Sequence, residues 1–277
     1  MSSPIHDDHD HGLKFDLETI IARRQLFGLL GVAGAGVLVS GCSFGGEDNV
    51  AGVGADGAAC IKDPVETSGP YPGDGTNSKA GQTVNVLTQS GIIRQDMRGS
   101  FAGMTPVADG VQLDLTLTLV NVSNACTALS GHAVYIWHCD VQGKYSLYDR
   151  TDANYLRAVG VTDAQGEVKF TTIFPGCYDG RWPHIHFEVF SSAEKAISGD
   201  ESLLISQFAF PEASAKALYG ANPAYASATE NLMKATLSTD MVFSDNTPEQ
   251  IAAQTLVING DIVSGMTASA TIGIDAK

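Results

Sequence analysis

Basic residues are scarce in this chain of 277 residues, because 16 Lys and Arg stand against 31 Asp and Glu, a formal net charge of −15. Phosphate binding needs a basic surface, so this balance argues against a nucleic-acid partner. The chain also lacks the several long apolar runs of a polytopic membrane protein, and no glycine fingerprint of a dinucleotide-binding fold follows a strand-like segment. With 44% hydrophobic and 17% charged residues, the composition is that of a folded soluble protein.

The N-terminal segment has the pattern of an export signal. Arg23 and Arg24 precede an uncharged stretch over residues 25–40, which at about 16 residues is short for a membrane span. The stretch leads to Cys42 through Val39, Ser40 and Gly41, an order that resembles a bacterial lipobox behind a twin-arginine signal. The alternative is a buried apolar helix that follows two chance arginines.

Three regions follow from this interpretation. The chain divides into a signal peptide over 1–41, a flexible Gly/Ala-rich tether over 42–59 and one domain over 60–277. The mature protein is expected to be exported and held at a membrane, periplasmic or at the cell surface, through a lipidated Cys42. An exported protein meets oxidising conditions, so its cysteines can form two disulfides, and their pairing stays open. The four cysteines of the domain are Cys60, Cys126, Cys139 and Cys177.

The domain reads as a series of strands. Hydrophobic residues at every second position from Val111 to Leu119 predict a half-buried strand. Further strands are predicted over 131–139, 167–173, 184–190, 203–210, 254–258 and 266–274, with a short helix over 211–219 and a turn at 259–260. Many short strands with turn signals between them favour a mainly β domain, an antiparallel β-sandwich with one or two short helices.

Candidate metal ligands lie in the second half of this pattern. In the strand over 184–190, His184 and His186 share one face, and the apolar residues between and after them share the other. Two imidazoles placed in this way can bind one metal ion, although two histidines on a solvated strand face would give the same pattern. Tyr178 ends the segment that precedes this strand, and Tyr145 follows a turn earlier in the chain.

Five short motifs lie in this part of the chain. They are Trp137 in a strand, Gly143-Lys144-Tyr145, Thr162-Asp163-Ala164-Gln165-Gly166, Thr172-Ile173-Phe174-Pro175-Gly176-Cys177-Tyr178 and Arg181-Trp182-Pro183-His184-Ile185-His186-Phe187. Together they resemble the intradiol ring-cleavage dioxygenases, which are non-haem Fe(III) enzymes. The resemblance extends from about residue 60 to the C-terminus.

The resemblance implies an iron centre and a reaction. Its Fe(III) ligands are expected at Tyr145, Tyr178, His184 and His186, with Tyr178 and His184 axial. Phenolate oxygens are hard anionic donors that favour ferric iron. Such an enzyme uses O2 to cleave a catechol-type diol between its two hydroxylated carbons, which gives a muconate-type product. Tyr178 is then expected to act as a base, and Arg181 to stabilise negative charge on the ring.

Two other functions fit parts of the sequence. A non-catalytic β-sandwich that binds a partner would keep the fold without needing the full set of two tyrosines and two histidines. A zinc hydrolase would use His184 and His186 together with a third His, a Cys or a carboxylate.

Cys177, directly before the expected axial tyrosine, is a candidate for a disulfide, and His132 and His138 are interpreted as structural. The diol and the oligomeric state stay open.

Overall fold

A computed structural model describes residues 51–54, 59–199 and 201–276, and these residues form thirteen strands. The strands are β1 Ala51–Val53, β2 Ala59–Ile61, β3 Asp74–Lys79, β4 Gln82–Asn85, β5 Gln112–Asn121, β6 Thr127–Ala128, β7 Ala133–Trp137, β8 Arg157–Val161, β9 Glu167–Ile173, β10 His184–Phe190, β11 Leu204–Ala209, β12 Val257–Asp261 and β13 Gly265–Ile274. The mainly β architecture predicted from the sequence is therefore confirmed.

The strand that carries both candidate histidines lies inside a four-stranded antiparallel sheet, here called the histidine sheet. The strand order is β11-β10-β7-β8, and all seven residues of β10 are buried. The histidines thus do not lie on a solvated face, which was the competing interpretation of the sequence. A strand that is covered on both faces has a fixed register, because a slip by one residue would reverse the direction of every side chain.

The second large sheet is built around β5, whose predicted alternation is confirmed. The inward residues Leu113, Leu115, Leu117 and Leu119 are almost completely buried. β9 and β6 pair with β5 in the antiparallel direction, as predicted, and β13 pairs with β5 in parallel. Parallel neighbours need a long connection between them, and here most of the domain lies between β5 and β13.

Two layers of hydrophobic residues cover the two faces of the histidine sheet. Ile185, Phe187 and Val189 belong to the main core, together with the leucines of β5. The opposite face, which carries His184 and His186, meets a smaller hydrophobic layer, here called the outer cluster. Its buried members are Val86, Leu87, Ile92, Ala133, Tyr135, Trp137, Cys139, Tyr145, Tyr148, Val159, Phe190 and Ala196. The histidine face is therefore enclosed by aromatic and aliphatic side chains.

The described residues contain four α-helices, which is more than the one or two expected. They are α1 Ala193–Ser198, α2 Glu212–Ala221, α3 Ala226–Leu232 and α4 Pro248–Gln254. Only α2 corresponds to a predicted helix. α4 begins with a capping box in which the Thr247 hydroxyl accepts from the Gln250 amide and the Gln250 side chain accepts from the Thr247 amide, a signature that is readable in the sequence.

The C-terminal hairpin is shifted from its predicted position. Gln254 ends α4 instead of beginning a strand, and Asn259-Gly260 lies inside β12 instead of forming the turn. The connection falls at residues 262–264, where the Asp261 carboxylate accepts hydrogen bonds from the amides of Val263 and Ser264. An Asx-type turn of this kind competes with the Asn-Gly signal, and local sequence alone did not separate the two.

Among the described cysteines one disulfide forms, between Cys60 and Cys126, and it joins β2 to the chain that follows β5. Cys139 and Cys177 are free and buried, so the prediction of a second disulfide, and of one at Cys177, was wrong. β1 lies within the range predicted as a tether and pairs with β2.

The predicted signal peptide and Cys42 lie outside the described residues, and the predicted domain limits stay predictions. In the part of the chain that the structure describes, no helix combines the length and the apolar character needed to cross a membrane.

Candidate metal centre

Three segments bring the sequence-predicted residues together. β10 supplies His184 and His186 from its N-terminal end, and the loop after β7 supplies Tyr145. The segment between β9 and β10 supplies Tyr178 and Arg181. Residues from three distant parts of the sequence thus converge at one end of the histidine sheet.

The two imidazoles face each other through the same ring atom. Their Nε2 atoms are 3.1 Å apart, and the Tyr145 hydroxyl lies 3.4 Å from Nε2 of His184. Nδ1 of His184 donates to the Trp182 carbonyl at 2.5 Å. The Nε2 atom of that ring therefore carries a lone pair, which points toward the other candidate metal ligands. Burial lowers the pKa of both histidines, and the Arg181 charge adds to the effect at His184. Both rings are therefore neutral at physiological pH, the form that binds metals.

The tyrosines differ in exposure. Tyr145 is completely buried, and burial, with Tyr178 as the next cause, raises the pKa of its phenol well above the usual value. Tyr178 is half-buried, and its ring centroid lies 5.8 Å from that of Tyr145 and 5.6 Å from that of His184. A buried phenol beside a second phenol ionises only when a cation compensates it, so the pair suits a highly charged metal ion.

Gly143 explains why the two tyrosine segments can approach so closely. It has a φ of +77°, and a Cβ at this position would lie 2.9 Å from the Cys177 carbonyl oxygen. Only glycine fits both the left-handed backbone and the contact. The Gly143-x-Tyr145 spacing therefore fixes one tyrosine segment against the other, because Cys177 directly precedes Tyr178.

Arg181 is buried and has a defined environment, so it is not a surface arginine. Its Nε donates to Oδ2 of Asp240 at 3.0 Å, its Nη2 to Oε1 of Gln207 at 2.7 Å and its Nη1 to the Tyr178 hydroxyl at 3.3 Å. Asp240 and Gln207 were both missed in the sequence. Gln207 pairs with His186 across β10 and β11, so strand pairing is the signal that would have found it. Asp240 lies in a loop without a local signal.

Aromatic rings fix the ligand candidates in place. Trp137 stacks on His186 with ring centroids 4.8 Å apart and planes 5° apart, and Tyr71 packs on Tyr145 at 4.8 Å. His138, by contrast, is a structural histidine, since its ring nitrogens bond to the Thr172 hydroxyl and to the Cys139 carbonyl. These contacts limit the rotamers of the central residues before any metal binds.

The donor set fits a hard trivalent cation better than zinc. Two imidazole nitrogens and two phenol groups converge. Phenolate oxygens are hard anionic donors, which suit a ferric ion better than a softer divalent one. Within the described ranges, no group of three or more His, Cys, Asp and Glu residues is arranged for a metal, as a zinc hydrolase would need.

Comparison with known proteins gives one family. The family model described as Dioxygenase matches residues 100–258. An intradiol ring-cleavage dioxygenase from Tetranychus urticae is similar in structure, with 23% identity, a TM-score of 0.57 and coverage of 78% of this chain and 95% of that one. At this identity the likeness shows the fold.

More distant structures are also similar. The dioxygenase domain of a dioxygenase carbohydrate-binding protein fusion from Streptomyces sp. SirexAA-E has 20% identity and a TM-score of 0.48, with 78% of this chain and 99% of that one covered. Catechol 1,2-dioxygenase from Pseudomonas arvilla C-1 has 19% identity and a TM-score of 0.42, with 67% and 58% covered. No curated protein matches the sequence.

Proposed function

Because the chain belongs to this dioxygenase family and has the intradiol ring-cleavage fold, we propose that it cleaves a catechol-type diol with O2 between the two hydroxylated carbons, giving a muconate-type product. The observation that carries the proposal is the convergence of Tyr145, Tyr178, His184 and His186 at one point, where all but Tyr178 are buried.

In this proposal the same four residues hold Fe(III). Two phenolates compensate two of the three charges of the ion, and two neutral imidazoles complete the protein ligands without adding charge. When bound, the iron would supply Lewis acidity toward the diol oxygens and activate the ring for reaction with O2. The stacking of Trp137 on His186 and the bond from His184 to the Trp182 carbonyl keep both imidazoles in the orientation that ligation needs.

The protein's own groups handle the substrate protons and charge. Tyr178 is the more exposed of the two tyrosines, which suits a phenolate that takes a proton from the incoming diol. Arg181 donates to the Tyr178 oxygen and thereby favours its ionised form. The same guanidinium would provide a fixed positive charge beside the aromatic ring of the bound diol. Its hydrogen bonds to Asp240 and Gln207 hold it in that orientation.

Visible absorption tests the proposal directly. The purified protein loaded with iron should show a red-brown tyrosinate-to-Fe(III) band that shifts when catechol is added. Tyr145→Phe and Tyr178→Phe should each weaken or move the band. Tyr225→Phe is the matched control, because Tyr225 is buried and its hydroxyl donates to the Phe174 carbonyl outside the centre. A protein that stays colourless with iron supplied in full would refute the dioxygenase assignment and favour the alternative of a non-catalytic β-sandwich that binds a partner.

We also propose that the protein is exported and anchored to a membrane through a lipidated Cys42. The support is the order of Arg23-Arg24, the short apolar stretch and the cysteine. A block of the twin-arginine translocon should leave precursor in the cytoplasm, and Cys42→Ala should release mature protein from the membrane fraction. Normal export under the block would contradict the proposed export pathway. Retention of Cys42→Ala in the membrane fraction would contradict the proposed lipid anchor.

A further inference from the structure

Arg157 is a buried arginine with an unusual environment. It begins β8, and about 1% of its surface is exposed. A buried guanidinium is normally paired with a carboxylate, because removing the charge from water costs several kcal/mol. In the described part of the chain Arg157 has no such partner, and oxygens of neutral groups take all of its hydrogen bonds.

These hydrogen bonds join two segments that are distant in the sequence. Nε donates to the Ser146 hydroxyl at 3.0 Å, and Nη2 donates to the Ser146 carbonyl at 3.1 Å and to the Tyr71 carbonyl at 2.9 Å. Nη1 donates to the Pro72 carbonyl at 2.6 Å and to the Tyr135 hydroxyl at 3.0 Å. The planar guanidinium thus connects the backbone at 71–72 with the backbone at 146, a geometry that an ammonium group cannot reproduce.

Both connected segments border Tyr145. Ser146 is its neighbour in the chain, and the Tyr71 ring packs on the Tyr145 ring at 4.8 Å with 31° between the planes. The Tyr71 ring also lies 5.1 Å from that of Tyr148, whose hydroxyl accepts from the Gly73 amide. The segment 71–73 therefore packs over Tyr145, and Arg157 is the side chain that binds the Tyr71 and Pro72 carbonyls together with the Ser146 carbonyl beside Tyr145.

We propose that Arg157 is a positioning residue, which holds segment 71–73 and Ser146 together so that the Tyr71 ring fixes Tyr145 in the orientation of an iron ligand. This inference rests on the proposed function. Arg157 touches neither the other candidate ligands nor the substrate position in this account. Its hydrogen bonds to Ser146 and to segment 71–73 act on Tyr145, and its bond to the Tyr135 hydroxyl adds a second, longer contact toward His186 through the stacked rings of Tyr135 and Trp137.

The test uses Arg157→Lys, Arg157→Met and Tyr71→Leu in the full chain. Lysine keeps the charge but satisfies fewer of the five acceptors, and leucine removes the ring while it leaves the carbonyl that Arg157 binds. Arg94→Lys is the matched control, since Arg94 also donates to backbone carbonyls, those of Arg157, Gly99 and Met97, but does not contact Tyr71 or Tyr145. For each variant we would measure amide hydrogen exchange over 71–77, iron content, the absorption band per iron, and kcat and KM for catechol.

In Arg157→Lys we expect exchange over 71–77 to become about tenfold faster, because the loss of these hydrogen bonds makes local opening easier. The absorption band per iron should move, and kcat should fall, with iron content preserved. Tyr71→Leu should move the band without the change in exchange, and Arg94→Lys should alter neither. Lysine has the same charge as arginine, so a deficit in Arg157→Lys points to geometry rather than to charge.

Unchanged exchange and an unchanged band in Arg157→Lys would overturn the proposal, as would a band in Tyr71→Leu identical to that of the unmodified protein. If Arg157→Met does not fold, the lysine and leucine variants still decide. Failure of the proposed function has a different result: the unmodified protein itself would then lack the band. In that case faster exchange in Arg157→Lys would still show that Arg157 holds segment 71–73, and unchanged exchange would refute that role.

Discussion

The ion pair between Arg181 and Asp240 gives the sharpest prediction. Both side chains are almost completely buried, and Oδ2 of Asp240 accepts from Nε of Arg181 at 3.0 Å and from the Trp182 amide at 2.6 Å. Its Oδ1 accepts from the Val242 amide at 2.8 Å. Asp240→Asn keeps the shape and one acceptor oxygen but leaves a buried guanidinium without its counter-charge.

The expected loss of stability follows from that uncompensated charge. Removal of one partner of a buried pair costs about 3 to 5 kcal/mol, and the retained acceptor of asparagine places this variant near the lower end. For a domain of this size, about 3 kcal/mol corresponds to a decrease in Tm of roughly 6 to 12 °C. Arg181 also loses the group that orients it toward Tyr178, so kcat should fall in the iron-loaded enzyme.

The loss should depend on pH in one direction. Burial alone would raise the pKa of Asp240, but the Arg181 charge and the Trp182 amide hold it below the usual value. A depressed folded-state pKa contributes stability that is present above the unfolded value of about 4 and is lost as the pH falls through the folded one. The difference between the unmodified protein and Asp240→Asn should therefore be largest near neutral pH and decrease in acid.

Urea unfolding at several pH values is the assay, and Asp261→Asn is the matched control. Asp261 also accepts from two backbone amides, but it is exposed and forms no ion pair with the described residues, so this change should cost far less than Asp240→Asn. A loss of stability in Asp240→Asn no larger than that of Asp261→Asn would refute the reasoning. So would a difference that grows as the pH is lowered.

Three further predictions concern other parts of the domain. Replacing Cys60 and Cys126 by serine opens a loop with a sequence separation of 66, and urea unfolding should show a loss of about 4 kcal/mol from the added freedom of the unfolded chain. Burial raises the pKa of Asp63 to about 7, so its folded state binds the extra proton and stability should fall as the pH rises from about 4 to about 7, a slope that Asp63→Asn should remove. Gly143→Ala should destabilise by about 1 to 2 kcal/mol for the left-handed backbone, with an added loss from the clash at Cys177, and should weaken the absorption band.

Each of the three has its own check. The reduced unmodified protein should match the double serine variant, and equal stability of the oxidised and reduced forms would contradict the disulfide estimate. A pH slope that survives in Asp63→Asn would assign it to another group. Gly131→Ala is the control for Gly143→Ala, because Gly131 has the same φ of +77° but open space where the Cβ would be. Equal losses in the two glycine variants would show that the contact with Cys177 has no cost.

The sequence predicted well where one local pattern decides the structure. The alternation along β5 follows from residues that face a core on one side, and the predicted limits of β9 and β10 agree with the structure because turn signals bound both segments. The candidate ligands Tyr145, Tyr178, His184 and His186 were recognised from short motifs, and the fold brings all four together. The glycine of the Gly143-x-Tyr145 motif has a local cause as well, a positive φ that other residues adopt only with strain.

Tertiary structure decided the features that depend on partners distant in the sequence. The free state of Cys139 and Cys177, the parallel pairing of β13 with β5, and the position of α3 have no strong signal in the local pattern. The fourth helix has one, the capping box at Thr247 and Gln250, which the prediction missed. The environment of Arg181 is of the same kind, because Gln207 and Asp240 lie 26 and 59 residues further along the chain. A period of two residues fixes which face of a strand is buried, but the partner of a buried charge is fixed only when sheets and loops close around it.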